Sequence, residues 1–140
     1  MSAATSLQAN LEAIIDALNT AGVSNAYWRD ALPLDSNGAI QYPTDDLYVQ
    51  LDIIQGQVEL DSDGYHSTLL IQTACWARVG SSSLAILRAL ALAATVETTM
   101  TGLHYEVQMS ATPQPIQDAA DTYRAVVARY ELVAAFDSIT

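Results

Sequence analysis

Hydrophobic and polar residues alternate with two different periods along the chain, and these periods divide it into predicted helices and strands. Near the start, five apolar residues recur at the 3.6-residue spacing of an amphipathic helix: Leu7, Leu11, Ile14, Ile15 and Leu18. Thr5 or Ser6 can cap the start of this helix, and Gly22 lies where a C-terminal cap is expected. The pattern predicts a first helix from about Ser6 to Ala21.

A two-residue period begins at Leu47. Apolar residues from Leu47 to Ile53 alternate with polar ones, which predicts a half-buried strand. The extended pattern continues to Leu60, and Gly56 is a candidate for a β-bulge. A second strand is predicted from Tyr65 to Arg78. The intervening turn, Asp-Ser-Asp-Gly, is then the tip of a long β-hairpin.

Residues 23–46 follow neither period. This stretch contains Trp28, a Tyr42-Pro43 pair and the turn sequence Asp-Ser-Asn-Gly from Asp35 to Gly38. A connection of this length in a compact domain is either a binding loop or contains a short strand. The pattern leaves both alternatives open.

A second helix is predicted after Gly80, with the serines at 81–83 as caps and an end near Met100. Apolar residues cover most of its circumference, so it must be covered on more than one side. A sheet covers one side only. The first helix or a neighbouring subunit must cover another.

The last third of the sequence predicts a strand from Leu103 to Met109, a loop from Ser110 to Asp121 and a final strand ending at Leu132. Arg129 and Glu131 share the polar face of that final strand, either as a surface ion pair or as an intersubunit pair. Residues 1–140 are therefore expected to form one α+β domain with element order α-β-β-α-β-β. Its mainly antiparallel or mixed sheet has about four to five strands, with two helices packed on one face.

Charge and composition exclude several classes of function. The net charge is −11, with 16 acidic residues, five arginines and no lysine. A lysine-containing phosphate loop and a Schiff-base lysine are therefore absent. The acidic balance argues against ordinary nucleic-acid binding and against anionic membrane surfaces. The single cysteine, Cys75, excludes an internal disulfide and a zinc site built on several cysteines. No signal peptide is expected, and the apolar run from Leu84 to Val96 is too short to span a membrane.

No motif with catalytic or metal-binding spacing is complete. Both acidic turns lack the glycine and the final glutamate of a calcium loop. His104 and Glu106 match half of a zinc-deaminase signature, but the cysteines it requires are missing. Asp45 and Asp46 lack the glycine-rich loop that would accompany a nucleotide-bound metal, and His66 has no evident ligand partners. We expect no enzymatic activity, no cofactor and no metal.

Several local sequences, in this order, resemble the tail terminator proteins of long-tailed bacteriophages, the family of the lambda-type minor tail protein U. The resemblance rests on the short N-terminal helix, the aromatic loop residues before the first long strand, the acidic hairpin tip and the Tyr-Glu ending of the last strand. The residues that carry it are Leu7–Asn19, Tyr27-Trp28, Tyr42-Pro43, Glu59-Leu60-Asp61-Ser62-Asp63, Tyr65 and Arg129-Tyr130-Glu131-Leu132.

The resemblance implies a structural virion protein at the head–tail junction, made in the host cytoplasm. It would form a hexameric ring that caps the tail tube, stops its polymerisation and presents a surface to a head-completion or neck protein. DNA would pass through the lumen without sequence-specific binding. The polar strand residues Gln50, Asp52, Glu106 and Gln108 would face the lumen or solvent.

The expected subunit contacts lie in the hairpin tip, the aromatic loop, the second helix, the proline-containing loop and the final strand. They are Trp28, Arg29, Tyr42, Pro43, Glu59, Asp61, Asp63, Tyr65, Arg88, Pro113, Pro115, Arg129 and Glu131. Two alternatives remain open: another ring-forming neck or tail-tube protein, and a stand-alone oligomeric binding domain.

Overall fold

A five-stranded mixed sheet and two α-helices make up the computed structural model. The backbone is described for residues 3–61, 64–80, 84–114 and 122–132, and side chains for residues 8–54, 69–80, 84–107 and 122–132. In chain order the elements are α1 (Ala3–Thr20), β1 (Ala26–Trp28), a 3-10 turn (Arg29–Ala31), β2 (Leu47–Asp61), β3 (Gly64–Arg78), α2 (Ala85–Gly102), β4 (Tyr105–Gln114) and β5 (Tyr123–Leu132).

The strands lie side by side in the order β1-β2-β3-β5-β4. Strand β1 runs parallel to β2, and the other neighbours are antiparallel. The α+β class is therefore confirmed, but the expected element order lacked β1. That strand has three residues, too few to show a two-residue period. Of the two alternatives for residues 23–46, the structure contains the short strand.

Helix α1 starts a few residues earlier than predicted and ends at Thr20. Ile14 and Leu18 are fully buried on its inner side. Gly22 follows with a φ of 91°, and the amide of Val23 donates to the carbonyl of Leu18 at 2.9 Å. A left-handed glycine after the last turn is a common way to end a helix, so the predicted C-terminal cap is confirmed.

Helix α2 packs through small side chains. Its buried residues are Ala85, Ala89, Ala93, Val96 and Met100. Leu84 occupies the N-cap position and makes no side-chain capping bond, so the predicted serine cap is wrong; the serines at 81–83 lie outside the described residues. At the other end, His104 has a φ of 68°, which is not an extended conformation. The next strand therefore begins at Tyr105 and not, as predicted, at Leu103.

One buried cluster joins both helices to the sheet. Its sheet members occupy alternate positions, such as Val49 and Leu51 in β2 and Ile71 and Cys75 in β3. In β5 the buried residues include Val126, Ala128, Tyr130 and Leu132, as the alternation predicted. Since alternate residues of a strand point to opposite faces, the sheet residues of this cluster share one face of the sheet.

Strand β4 extends further than expected. It continues to Gln114, so residues 110–114 are strand and not loop; the remainder of the predicted loop, residues 115–121, lies outside the described residues. Proline is tolerated in a strand that has a neighbour on one side only, and β4 is an edge strand with Pro113 opposite Val126. Two register shifts interrupt its pairing with β5, and such irregularities discourage edge-to-edge aggregation.

Candidate functional site

The β2–β3 hairpin reaches beyond the sheet. Both strands have 15 residues, but among the described residues β5 pairs with β3 from Leu70 to Arg78, and β1 pairs with β2 from Val49 to Leu51. Residues 55–61 of β2 and 64–69 of β3 therefore form a two-stranded extension, which we call the arm. At about 3.3 Å per residue the arm is roughly 20 Å long.

A β-bulge lies at the base of the arm. Ile53 pairs with Ile71 and Gln55 pairs with Leu70, which leaves Ile54 as an inserted residue. The predicted bulge position, Gly56, was wrong: Gly56 pairs regularly with Leu69. The insertion changes which residues of β2 share a face with the core. Before Ile54, the odd-numbered residues of β2 lie on the core side of the sheet. After Ile54, the even-numbered residues lie on that side.

The arm contains four of the predicted contact residues. Glu59, Asp61 and Tyr65 lie on its strands, where the structure describes the backbone but not the side chains, and Asp63 lies outside the described residues. The pairing of Asp61 with Gly64 places the Asp-Ser-Asp-Gly sequence at the end of the hairpin, as predicted. The similar sequence starting at Asp35 is also a turn, in which the Asp35 carboxylate accepts bonds from the amides of Asn37 and Ala39 at 2.8 and 2.9 Å.

The second face of the sheet has its own aromatic cluster near the start of β2. Tyr48 and Trp76 face each other across β2 and β3 and stack with centroids 6.3 Å apart. Tyr123 meets Tyr48 edge-on at 5.7 Å, and Tyr27 meets Tyr48 at 6.3 Å. Tyr48 is only 3% exposed. Sequence analysis missed this cluster because its members meet only through strand register.

Hydrogen bonds and one cation–π contact hold the chain segment that leads into β2. Tyr27 donates to the Asp45 carboxylate at 2.7 Å, and Tyr123 donates to the Asp45 carbonyl at 3.0 Å. The hydrogen bond to Asp45 raises the pKa of Tyr27, and burial adds to the effect. Arg78 donates to the Thr44 carbonyl at 3.0 Å and lies over the Tyr123 ring, 5.6 Å from its centroid.

Arg88 ties α2 to this same end of the sheet. Its guanidinium pairs with the Asp46 carboxylate at 2.8 Å and donates to the carbonyl of Arg78. The Arg88 side chain is 20% exposed and that of Asp46 is 65% exposed. Arg88, predicted as a subunit contact, is thus engaged within its own chain. The contact places the N-terminal end of α2 beside the start of β2 and the end of β3.

The remaining predicted contacts are dispersed. Trp28 is half-buried and packs against the core, whereas Arg29 is exposed and Tyr42 is 52% exposed. Arg129 donates to the Gln72 side chain at 3.0 Å. Of the other predicted contacts, Pro43 and Glu131 are half-buried, and Pro115 lies outside the described residues.

The polar residues predicted to face the lumen or solvent range from exposed to buried. Glu106 is exposed, Asp52 is half-buried and Gln50 is 9% exposed, with its amide donating to Asp52 at 3.2 Å. None of these three belongs to the core cluster. The side chain of Gln108 lies outside the described residues. The core therefore does not contain the three residues whose side chains are described.

An exposed apolar stripe runs along the outer side of α2. Leu84 is 66% exposed and Leu87 is 57% exposed. Ala91 and Ala94 continue the same line at helical spacing and are also exposed. We call these four residues the α2 stripe. Val79, 39% exposed, precedes it in the chain. The sequence predicted that α2 needs a second cover, and in the described structure α1 does not supply it at this stripe.

An open groove of about 460 Å³ lies between the C-terminal ends of the two helices. Its lining consists of small, hydroxyl-bearing or aliphatic residues: Ala17, Thr20, Ala21, Thr98, Thr99, Gly102 and Leu103. None of them titrates in the physiological range, so the groove offers no general acid or base.

Within the described residues, no three His, Cys, Asp or Glu side chains are placed to hold a metal ion. No helix among those residues is long and apolar enough to cross a bilayer. No protein-family model matches the sequence, and no curated protein matches it significantly.

Proposed function

We propose that this chain is a structural subunit of a ring that caps a phage tail tube, in the manner of the tail terminator family that its sequence resembles. In this proposal the ring is hexameric, binds the tube protein on one side and receives a head-completion or neck protein on the other. The observation that carries the proposal is the arm.

The arm needs a packing partner to be stable. A two-stranded hairpin is marginally stable by itself in water, and a third strand or a packed surface is normally required. Within the described residues, the arm has neither β1 nor β5 beside it. A neighbouring subunit in a ring would supply the missing surface, and the acidic residues Glu59 and Asp61 would then border the contact.

The arrangement of layers supports a ring with a distinct inner surface. We take both helices to cover one face of the sheet, because residues of both belong to the same buried cluster. The part of the second face outside the buried aromatic cluster around Tyr48 would then be available to line a lumen or to meet solvent. With a net charge of −11, such a lumen repels DNA phosphates and allows DNA to slide without adhering.

A tail-tube subunit is the nearest alternative, since it has the same size class and ring symmetry. The two functions differ in how assembly ends. A contact that closes on itself gives a ring, whereas a tube protein must also stack ring upon ring without limit. The purified protein distinguishes them, because a terminator stops at closed rings and a tube subunit grows open-ended tubes.

The experiment combines mass photometry and negative-stain imaging of the free protein with an assay on growing tail tubes. We expect closed rings, and tubes whose growth stops when the protein is added. A variant lacking residues 58–59 and 66–67 shortens the arm by two opposite pairs while keeping the alternation of its faces. It should neither form rings nor stop growth, whereas Glu12→Gln on the exposed side of α1 should do both. Open-ended tubes from the protein alone, or unimpeded tube growth, would rule out the terminator role.

A further inference from the structure

We infer that the arm of one copy docks on the α2 stripe of the next copy, and that this is the contact that joins the subunits. The inference rests on the proposed ring and specifies its interface. Both surfaces lack a cover among the described residues: no third strand pairs with the arm beyond its base, where Leu69 is buried in the core, and Leu84 and Leu87 are 66% and 57% exposed.

The two surfaces lie at opposite ends of the subunit. The arm begins where Gln55 pairs with Leu70 and extends away from the sheet. The stripe begins at the other end, where Arg88 of α2 contacts Asp46 before β2 and the carbonyl of Arg78 at the end of β3. An arm therefore does not reach the stripe of its own chain. A contact between opposite ends of identical chains is head-to-tail, and it generates rings or filaments rather than two-fold dimers.

The size of the stripe also argues against a simple two-fold pair. Burial of its two leucines with Val79 would remove roughly 200 Å² of apolar surface from water. A stable two-partner interface needs about 800 Å² on each side. A projecting ribbon that contacts the stripe along its length adds area of its own, and the lengths match: the stripe extends about 15 Å along the helix, and the arm is roughly 20 Å long.

The backbone pairing divides the residues of the arm into two sets. Paired residues of antiparallel strands lie on the same face, and the register after the bulge therefore sorts the arm into two sets. In one set Val58 pairs with Ser67 and Leu60 with Tyr65; in the other Gln57 pairs with Thr68 and Glu59 with His66. The first set matches the uncharged stripe.

Charge restricts where two such chains can meet. Each carries a net charge of −11, so two copies repel over most of their surfaces. The stripe from Leu84 to Ala94 contains no acidic residue. The second set of arm residues, with Glu59, would face solvent in this arrangement.

Two variants that each disable one surface test the inference. Leu60→Asp alters the arm and keeps the stripe; Leu87→Asp alters the stripe and keeps the arm. We expect both to be monomeric by native mass spectrometry, and an equimolar mixture to form one-to-one pairs and nothing larger, since one intact arm and one intact stripe remain. Leu34→Asp makes the same change at another exposed leucine, outside the arm and the stripe, and should assemble like the original protein. Circular dichroism and melting temperature check that each variant is folded.

Each result has a distinct meaning. Normal assembly of the Leu87→Asp variant would show that the stripe is not part of the interface. Normal assembly of the Leu60→Asp variant would show that the arm is not what binds the stripe. Failure of the original protein to self-associate would overturn the inference as well. If the mixture pairs as expected but the original protein grows open-ended tubes, the arm–stripe contact stands and the terminator role falls.

Cross-linking gives a readout that does not depend on a charge. Leu60→Cys mixed with Leu87→Cys should give an intermolecular disulfide when oxidised glutathione is added, and Leu60→Cys mixed with Leu34→Cys, at an exposed position outside the stripe, should not. Cys75 is fully buried, and burial raises the pKa of its thiol to about 12, so it does not compete for the oxidant. Equal cross-linking in both mixtures would contradict the proposed contact.

Discussion

Deletion of Ile54 tests whether this residue is an insertion in an otherwise regular ladder. Because Ile53 pairs with Ile71 and Gln55 with Leu70, removing Ile54 leaves every pair of the arm unchanged. Ile54 is 44% exposed, so its loss costs about 1 kcal/mol of apolar burial. Restoring regular pairing returns about 0.5–1.5 kcal/mol of backbone hydrogen bonding. The two terms nearly cancel, and the free energy of unfolding should change by no more than about 1 kcal/mol.

Deletion of Gln57 is the matched control, because Gln57 is a regular member of the ladder opposite Thr68. Its removal forces residues 58–61 to the wrong face or out of register, so a larger loss is expected. Urea denaturation measures both free energies. Mass photometry should also report weaker assembly for the Ile54 deletion, since a bulge sets the bend and twist of the arm. A loss above about 3 kcal/mol for the Ile54 deletion would refute the assignment of Ile54 as the inserted residue.

Three further changes follow from the described contacts. Leu51→Ala removes a fully buried side chain of the core and should lower the free energy of unfolding in urea by about 2–5 kcal/mol; the same change at exposed Leu34 should have little effect. Tyr123→Phe removes the hydroxyl that donates to the Asp45 carbonyl and accepts from Arg78, and a loss of about 1–2 kcal/mol is expected by the same method, with no loss for Tyr42→Phe as control. Raising the pH should destabilise the fold: burial raises the pKa of Cys75 from 9.0 to about 12, so above pH 9 the unfolded chain releases a proton that the folded chain keeps, and stability falls up to about pH 12. Urea titrations across this range should show a shallower fall for Cys75→Ala, and an equal fall would exclude the thiol as a cause; the remaining fall would come from Tyr105 and Tyr130, whose pKa values are also raised by burial.

The periodic elements were predictable because each encodes its own burial pattern. The two helices, the long hairpin and the buried side of β5 all follow from local spacing. The bulge was only half predictable. Ile53 and Val58 have opposite parity, so one inserted residue had to lie between them. Glycine suggested position 56, but a bulge of this kind does not require a positive φ, and only the pairing with β3 identifies Ile54.

The features that sequence analysis missed depend on residues far apart in the chain. Tyr48, Trp76 and Tyr123 meet because three strands are aligned in one register. Sequence analysis considered Asp45 only as part of an incomplete metal site, yet Tyr27 and Tyr123 both donate to it. Strand β1 is recognisable only by its pairing with β2. No local period records such contacts, and the predicted set of interface residues was correspondingly dispersed.

The alanine side of α2 has an evolutionary consequence. Ala85, Ala89 and Ala93 are the buried residues of the first half of the helix, with Ile86, Leu90 and Leu92 packed partly buried beside them, so small side chains lie where that half comes nearest to the core. Larger side chains at these positions would force the layers apart, and selection is expected to keep them small. The outward residues, among them Leu84 and Leu87, are free of that restriction. Descendants of this protein can therefore change which partner they accept by substitutions on one side of a single helix, while the fold that presents it stays the same.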